Sequence, residues 1–371
     1  MFGGMYYTGL EFLNPGRLVL FGIGLLLVYM AIKKEWEPYE LLPLGVGIML
    51  ANFPLTYMMS TTGQLGILYI LYHYGIIWIV LPTLIFVGLG AMTDFGPLIA
   101  DPKLMILGVA AQIGIYTSFL GAIALGFTPA EAASIGIIGG ADGPTTIFIT
   151  TRLAPHILGV TAVAAYTYIG MVPFIQPPIS RLLTTKEERK IRMKQMRKVS
   201  KTEKMLFPIL TAVVVILLVP QAGTIVGLFM FGNLLRESGV VPRLAKAASN
   251  ELTNLVTMFL AFAVGASLTA DVLSVKVVLV FLLGLAAVAV GSAGGVLVAK
   301  LMNLFLKDKI NPLIGAAGVS AVPAAARVAQ REALNADPHN HILMYAMAPN
   351  VAGVIGSATA AGAFLGMLGG F

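Results

Sequence analysis

Long apolar stretches, separated by short polar ones, run along the whole chain. A membrane-spanning helix needs about 20 mostly apolar residues. Segments of about this kind lie at 17–32, 41–58, 66–92, 104–126, 132–150 and 157–179, and then at 205–220, 223–235, 251–270, 277–299, 311–330 and 342–364. The pattern predicts an all-α polytopic membrane protein, although several segments are short for a span.

The composition supports this class of protein and excludes several kinds of functional site. The 371 residues are 58% hydrophobic and 11% charged, whereas soluble domains carry about 25% charged residues. Cysteine is absent from the sequence, which excludes disulfides, thiolate metal sites, iron–sulfur clusters and cysteine nucleophiles. The four histidines do not form a zinc pattern, and residues 1–14 lack the basic and cleavable features of a signal peptide.

The positive charge is concentrated in one segment. Residues 181–204 hold ten basic and three acidic residues, so this segment alone accounts for a net charge of +7. A basic run can bind nucleic acid, but between two apolar halves it is typical of a cytoplasmic loop. We therefore predict no nucleic-acid partner, and anionic lipid or an acidic protein remains a possible contact.

The basic loop divides the chain into a first transmembrane repeat at 1–180 and a second at 205–371. Lysine and arginine fall mostly on the cytoplasmic side if the glycine- and proline-rich segments 132–150 and 311–330 do not cross the membrane. Each half then has about five crossings and one broken or re-entrant element. A broken helix that crosses fully, with a miscounted neighbour, is the alternative.

The two halves also share sequence features. Residues 136, 139 and 144 (Gly, Gly and Pro) match 315, 318 and 323 at an offset of 179, and 49–52 (MLAN) resembles 230–233 (MFGN) at an offset of 181. An odd number of crossings inverts the second half relative to the first. Inverted repeats whose broken helices meet near the bilayer midplane are a transporter architecture.

One acidic residue stands inside an otherwise apolar segment. Asp142 lies in 139–146 (GGADGPTT), where glycine and proline disfavour a continuous helix. Broken backbone at membrane depth is tolerated only where it lines protein or a wet cavity. A carboxylate there indicates a functional site; the alternative is a buried acid kept neutral.

Other polar residues lie on or just after the two broken segments. They are Thr145, Thr146, Tyr168, Asn311, Ser320, Arg327 and Asn350. Their oxygens, with freed backbone carbonyls, are ligands for a hard cation. A single carboxylate among neutral oxygens suits a monovalent ion.

Several of these residues have a second interpretation. Arg327 is either a fork for an anionic carboxylate, a structural partner of Asp142, or an arginine reaching toward the cytoplasmic interface. Tyr168 can be an interfacial aromatic, and Asn311 and Asn350 can be helix caps. Asp94 fits a cytoplasmic turn.

Five motifs resemble the β subunit of sodium-translocating, biotin-dependent decarboxylases. They are 90–97 (GAMTDFGP), 139–146 (GGADGPTT), 231–239 (FGNLLRESG), 311–323 (NPLIGAAGVSAVP) and 348–357 (APNVAGVIGS). The resemblance covers nearly the whole chain. The family comprises membrane subunits of oxaloacetate, methylmalonyl-CoA, glutaconyl-CoA and malonate decarboxylases.

The resemblance implies a function and roles for individual residues. The subunit would decarboxylate carboxybiotin and couple this reaction to sodium export, with a proton consumed. Asp142 would be the central sodium ligand, and Arg327 would bind carboxybiotin. The remaining ion ligands or proton-path residues would be Tyr168, Asn311, Gly315, Ser320 and Asn350, with Arg327, Asp142, Tyr168 and Ser320 taking part in catalysis.

The resemblance also implies the surroundings of the chain. Its partners would be a biotin carrier, a carboxyltransferase and a small single-span membrane subunit, with self-association, in a bacterial inner membrane. Broken inverted repeats alone fit a secondary sodium/proton or sodium/carboxylate transporter equally well. The motifs favour the decarboxylase, and the acid or acyl-CoA substrate belongs to another subunit.

Overall fold

The computed structural model describes residues 8–270 and 275–369. All regular secondary structure in that part of the chain is helical. Six described helices are long and apolar enough to cross a membrane, or seven if one bent pair counts as a single span. The bent pair, Ile67–Ile77 and Val80–Met92, meets at 62°. The sequence predicts one apolar segment at 66–92, and the structure divides it at this bend.

The first half of the described chain contains ten α-helices. They are α1 (Pro15–Lys33), α2 (Pro38–Asn52), α3 (Ile67–Ile70), α4 (Val80–Met92), α5 (Gly96–Ala100), α6 (Met105–Ala111), α7 (Ile113–Ala124), α8 (Pro129–Gly136), α9 (Gly143–Leu153) and α10 (Leu158–Leu183). A π-helical stretch, Leu71–Ile77, continues α3 toward the bend. The pair α8 and α9 forms the first broken element.

The remaining helices begin with a short one in the connection between the halves and continue through the second half. These helices are α11 (Lys186–Arg189), α12 (Lys201–Leu218), α13 (Gly223–Ser238), α14 (Pro242–Ala247), α15 (Thr253–Ala266), α16 (Val275–Phe305), α17 (Leu313–Ala316), α18 (Ala324–Ala336) and α19 (Leu343–Leu368). The pair α17 and α18 forms the second broken element. The helices α10 and α19, which follow the two broken elements, are both 26 residues long.

Side-chain capping explains where three helices in the polar connections begin. Thr128, Thr185 and Ser200 each accept a hydrogen bond from the backbone N–H three residues on, and a glutamate at that position binds back to the cap. This reciprocal arrangement satisfies backbone donors that a helix start leaves free. In the first of these caps, the Glu131 carboxylate accepts hydrogen bonds from the backbone N–H and the hydroxyl of Thr128.

Two helix pairs join the halves by the same kind of contact. The Asn52 amide at the end of α2 donates to Leu268 O, 2.8 Å away, just after α15. The Asn233 amide in α13 donates to Thr93 O, 2.7 Å away, just after α4. Close approach in the second pair depends on glycine, because a Cβ at Gly232 would lie 1.9 Å from Val87 O.

The basic segment 181–204 binds the second half of the chain through ion pairs. Arg181 makes two hydrogen bonds to the buried carboxylate of Glu332, at 2.6 and 2.8 Å. Arg192 pairs with Asp337 at 2.7 Å. Both acids belong to or follow α18, so the segment is attached to the second broken element. It begins within α10 and ends within α12.

Candidate functional site

Asp142 stands where the first broken element changes direction. After α8 the chain makes a 3-10 turn, and Ala141 adopts a left-handed conformation with φ of 53°. Asp142 then caps α9, and its Oδ1 accepts the backbone N–H of Thr145 at 3.1 Å. The side chain is 5% exposed. The glycine-rich sequence therefore produces a buried carboxylate at a helix N-terminus, where negative charge is stabilised.

Two hydroxyl groups donate hydrogen bonds to the other carboxylate oxygen of Asp142, Oδ2. Thr145 Oγ1 donates to Oδ2 at 2.7 Å, and Ser357 Oγ in α19 donates to the same atom at 2.6 Å. Hydrogen bonds to an ionised acceptor are shorter and stronger than neutral ones. All three hydrogen bonds to the Asp142 carboxylate come from neutral groups, and Arg327 is not among the donors. Among the described residues, the carboxylate therefore has no cationic partner.

The second broken element crosses the first at this point. The Ser320 N–H donates to Gly140 O at 2.7 Å, which joins the two breaks directly through backbone. Ser320 Oγ lies 3.4 Å from Ser357 Oγ, and Ser357 reaches Asp142. The predicted proximity of Asp142 and Ser320 is therefore present in the structure, with Ser357 between the two side chains.

Asn350 in α19 binds the backbone that the second break sets free. Its Nδ2 donates to Val319 O at 2.7 Å and to Ala317 O at 3.0 Å. These carbonyls lack helical partners because the helix is interrupted there. Asn350 is fully buried, and its Oδ1 accepts no hydrogen bond from any residue that the structure describes. One polar oxygen is thus left available beside the crossing.

Gln112, between α6 and α7, supplies a second such oxygen. Its Nε2 donates to Gly108 O at 2.9 Å, while its Oε1 is buried and accepts no hydrogen bond within residues 8–270 and 275–369. That Oε1 would lie 3.6 Å from a Cβ placed on Gly140, so it faces the first break. Amide oxygens of this kind are ligands for hard cations.

Two predicted ligands lie away from this group. Asn311 donates to the carbonyls of Arg189 and Ile191 at 2.8 and 2.9 Å, and its Oδ1 accepts the Leu313 N–H. Asn311 therefore fastens the basic segment to α17. At Gly315, a Cβ would lie 2.0 Å from Gly295 O in α16. Within the described chain neither residue makes a hydrogen bond to Asp142: Gly315 packs against α16 and Asn311 is an attachment, and their roles as ion ligands stay predictions.

Tyr168 also points elsewhere. Its hydroxyl donates to Phe281 O in α16, and its ring packs where a Cβ on Gly284 would stand. The tyrosine beside Asp142 is Tyr166, since a Cβ on Gly143 would lie 2.5 Å from Tyr166 Cε1. The sequence favours Tyr168 as a site residue, whereas the rotation of α10 places Tyr166 at the break.

Arg327 lies in the first turn of α18 and is exposed. Within the described residues its guanidinium makes no hydrogen bond or ion pair, and its charge acts on Glu37, at the start of α2. An arginine without a fixed partner near the second break is available to an anion. This position fits the anion-fork interpretation better than a structural pairing with Asp142.

Asp94 occupies the turn between α4 and α5, as predicted. Burial would raise the pKa of Asp94, but the Gly96 N–H at 2.8 Å and the Lys204 ammonium at 3.0 Å outweigh it, and the pKa is lowered from its usual value. Arg236 lies 4.0 Å away on the other oxygen. Asp94 therefore has cationic partners, whereas Asp142 has none in the described part of the chain.

Comparison with known proteins identifies the family. A family model described as Na+-transporting oxaloacetate decarboxylase beta subunit matches residues 16–368. The chain belongs to this family. It is 51% identical to a methylmalonyl-CoA decarboxylase subunit beta of Propionigenium modestum, covering 98% of this chain and 97% of that protein.

Two further relatives carry different substrate names. A glutaconyl-CoA decarboxylase subunit beta of Acidaminococcus fermentans is 51% identical over 96% of this chain and 94% of its own length. An oxaloacetate decarboxylase beta chain of Klebsiella pneumoniae is 47% identical over 96% of each. The predicted family is confirmed, and the chain is the membrane-embedded beta subunit of a sodium-transporting decarboxylase.

Proposed function

We propose that the crossing of the two broken elements holds the transported sodium ion. Asp142 supplies the negative charge, and Ser357, Asn350 Oδ1 and Gln112 Oε1 supply neutral oxygens around it. In the part of the chain that the structure describes, no cationic side chain donates to Asp142, and this supports the proposal most strongly, because a carboxylate held by neutral donors keeps its charge available. Ser320 contributes through Ser357.

The halves of the chain are proposed to be inverted repeats, with the segments at 1–180 and 205–371 joined by the cytoplasmic loop 181–204. The contacts from Asn52 to Leu268 and from Asn233 to Thr93 support this arrangement. The two asparagines are 181 positions apart and the two acceptors 175 apart, so each contact has its counterpart in the other half. Exchange of equivalent contacts is expected for repeats that interlock.

Arg327 is proposed to bind the carboxylate of carboxybiotin, which a partner biotin carrier delivers after a carboxyltransferase has loaded it. An exposed guanidinium without a partner can receive a carboxylate through two hydrogen bonds. The free carboxylate is released as carbon dioxide, so Arg327 holds the ligand only before decarboxylation. A ligand bound in one state alone shifts a conformational equilibrium.

The proposed cycle follows from these two sites. Sodium binds at Asp142 while the site is open to the cytoplasm, and carboxybiotin binds at Arg327. Decarboxylation breaks the bond between the carboxyl carbon and the ureido nitrogen of biotin, carbon dioxide leaves, and the nitrogen takes a proton. The site then opens outward and sodium departs. The relatives named for an acid and for acyl-CoA substrates fit a subunit that acts after substrate recognition.

The proposed setting is a complex in the bacterial inner membrane that also contains a small single-span subunit and further copies of this chain. A secondary transporter without decarboxylation would have the same helices, so the decisive measurement joins chemistry to transport. We expect carboxybiotin breakdown by the purified complex to require sodium. Breakdown at an unchanged rate without sodium would contradict the coupled scheme.

Two substitutions test the residue assignments. Asp142→Asn should abolish sodium transport and carboxybiotin breakdown together, while Asp308→Asn, at an exposed acid paired with Lys194, should leave both unchanged.

Arg327→Ala should raise the carboxybiotin concentration needed for half-maximal decarboxylation. Arg331→Ala, one turn further along the same exposed face, is the control. Unimpaired carboxybiotin use by the Arg327 variant would remove its proposed role.

A further inference from the structure

Gln176 is a buried amide in the last third of α10 that the proposed cycle does not use. Its side chain is 1% exposed, and its Nε2 donates to Ala325 O, 3.1 Å away. Ala325 belongs to the first turn of α18, the turn that also carries Arg327. The amide therefore joins α10 to the start of the helix that presents the proposed carboxybiotin ligand.

The other half of the Gln176 amide has no partner. Its Oε1 is buried and accepts no hydrogen bond from the described residues. A buried acceptor left unpaired costs stability, so each one requires an explanation. The Ala325 carbonyl does not need the amide either, because a carbonyl inside an α-helix already accepts the N–H four residues on. Gln176 therefore gives the fold little that an apolar side chain of similar size would not give, which indicates a role other than stability.

Two polar contacts in the described chain attach α18 to α10. One is the hydrogen bond from Gln176 to Ala325 O, and the other is the bidentate ion pair between Arg181 and Glu332. Ala325 and Glu332 are seven residues apart, which is nearly two turns, so they share one face of α18 about 10 Å apart along its axis. The ion pair holds the far end of that face, and Gln176 holds the near end.

The direction of the Arg327 side chain depends on how this near end is turned. Arg327 follows Ala325 by two positions, and residues two apart differ by about 200° around a helix axis. Because Ala325 faces α10, Arg327 points away from α10, and it is exposed. Pro323, which precedes the helix, supplies no side-chain cap. The hydrogen bond from Gln176 thus opposes a rotation of the first turn that would carry the guanidinium with it.

We propose that Gln176 is a positioning residue for carboxybiotin, which it affects through Arg327 without touching the ligand. This inference rests on the proposed function of Arg327. A guanidinium that binds a carboxylate through two parallel hydrogen bonds must have a defined direction. Loss of the Gln176 donor leaves Arg327 present and charged but less well directed. The complex should then need more carboxybiotin, while saturating carboxybiotin restores the bound geometry and with it the maximal rate.

The test is Gln176→Leu, which removes the amide and keeps a similar volume. With free carboxybiotin and the purified complex, we expect the concentration for half-maximal decarboxylation to rise by about 2- to 12-fold, the factor for one neutral hydrogen bond. The maximal rate and the sodium requirement should stay within about twofold of the wild type, and the unfolding temperature should not fall. Thr167→Val is the control, since the Thr167 hydroxyl is also buried without a described partner but lies on the opposite face of α10.

A double variant separates positioning from direct contact with the ligand. If Gln176 acts through Arg327, adding Gln176→Leu to Arg327→Ala should not raise the carboxybiotin requirement further. A further rise of the same size would overturn the inference, and so would a normal requirement in Gln176→Leu alone when Arg327→Ala is impaired. A lowered unfolding temperature with a reduced maximal rate would overturn it in favour of a structural role. Unimpaired carboxybiotin use by Arg327→Ala would refute the proposed function of Arg327 and this inference with it.

Discussion

Ser357→Ala tests the Asp142 site directly, because it removes a hydroxyl that donates to the Asp142 carboxylate and contacts Ser320 Oγ, without changing any charge. The Ser357 hydroxyl is fully buried and donates to Asp142 Oδ2 at 2.6 Å. This hydrogen bond stabilises the ionised carboxylate relative to the protonated acid. Its loss therefore favours the proton in the competition with sodium for Asp142.

The size of the effect follows from the kind of bond. A hydrogen bond to a charged group contributes about 1.5–3 kcal/mol, and 1.36 kcal/mol corresponds to a factor of ten. We expect the sodium concentration for half-maximal decarboxylation to rise by about 10- to 150-fold in the variant. The increase should be larger at low pH, where the proton competes more strongly.

The assay is sodium-dependent decarboxylation by the purified complex, measured at several pH values. Ser134→Ala is the matched control, since Ser134 is equally buried but its hydroxyl donates to Ala130 O within its own helix. Thr145→Val removes the other hydroxyl on the same oxygen, so its effect should not add simply to that of Ser357→Ala. A sodium requirement within about threefold of the wild type in the Ser357 variant would refute the assignment.

Two further predictions concern stability. Gly315→Ala should destabilise the fold by about 1–3 kcal/mol or more, because the added Cβ would lie 2.0 Å from the rigid carbonyl of Gly295; Gly22→Ala, with no atom nearby, is the control in thermal unfolding. Asp94 has a lowered pKa, so its stabilising pairing with Lys204 is present above its unfolded pKa of about 3.9 and is lost as pH falls through the folded value. Asp94→Asn should therefore lower the unfolding temperature at pH 7, and the difference should shrink below about pH 4; a constant difference would contradict the pairing.

Some of the site could be predicted from sequence because its signal is local. Glycine and proline around Asp142 identify the break within a few residues, and the acid indicates the site without any knowledge of its neighbours. Ser357 could not be identified in this way, because it lies 215 positions from Asp142 and only packing brings the two together. Gly315 shows the opposite problem, since a glycine that permits close packing looks the same in sequence as one that lines a site.

Tyr166 and Tyr168 show why helix rotation matters. Residues two apart on an α-helix differ by about 200° around its axis, so only one of them can face the break. The sequence places both tyrosines on the same helix but does not give its rotation. Contacts with Gly143 on one side and Phe281 on the other determine it in the structure.

The distribution of charges separates rigid attachments from the parts that can change. A bidentate ion pair between Arg181 and the buried Glu332 attaches the second broken element to the basic segment. At the crossing itself, the Ser357 hydroxyl and the backbone hydrogen bond from Ser320 to Gly140 O connect the two broken elements. Such contacts are individually weaker than the ion pair, so a change in the charge of Asp142 acts on the least constrained part of the site. An ion that exchanges with a proton there can favour one arrangement of the two breaks while their outer ends stay attached.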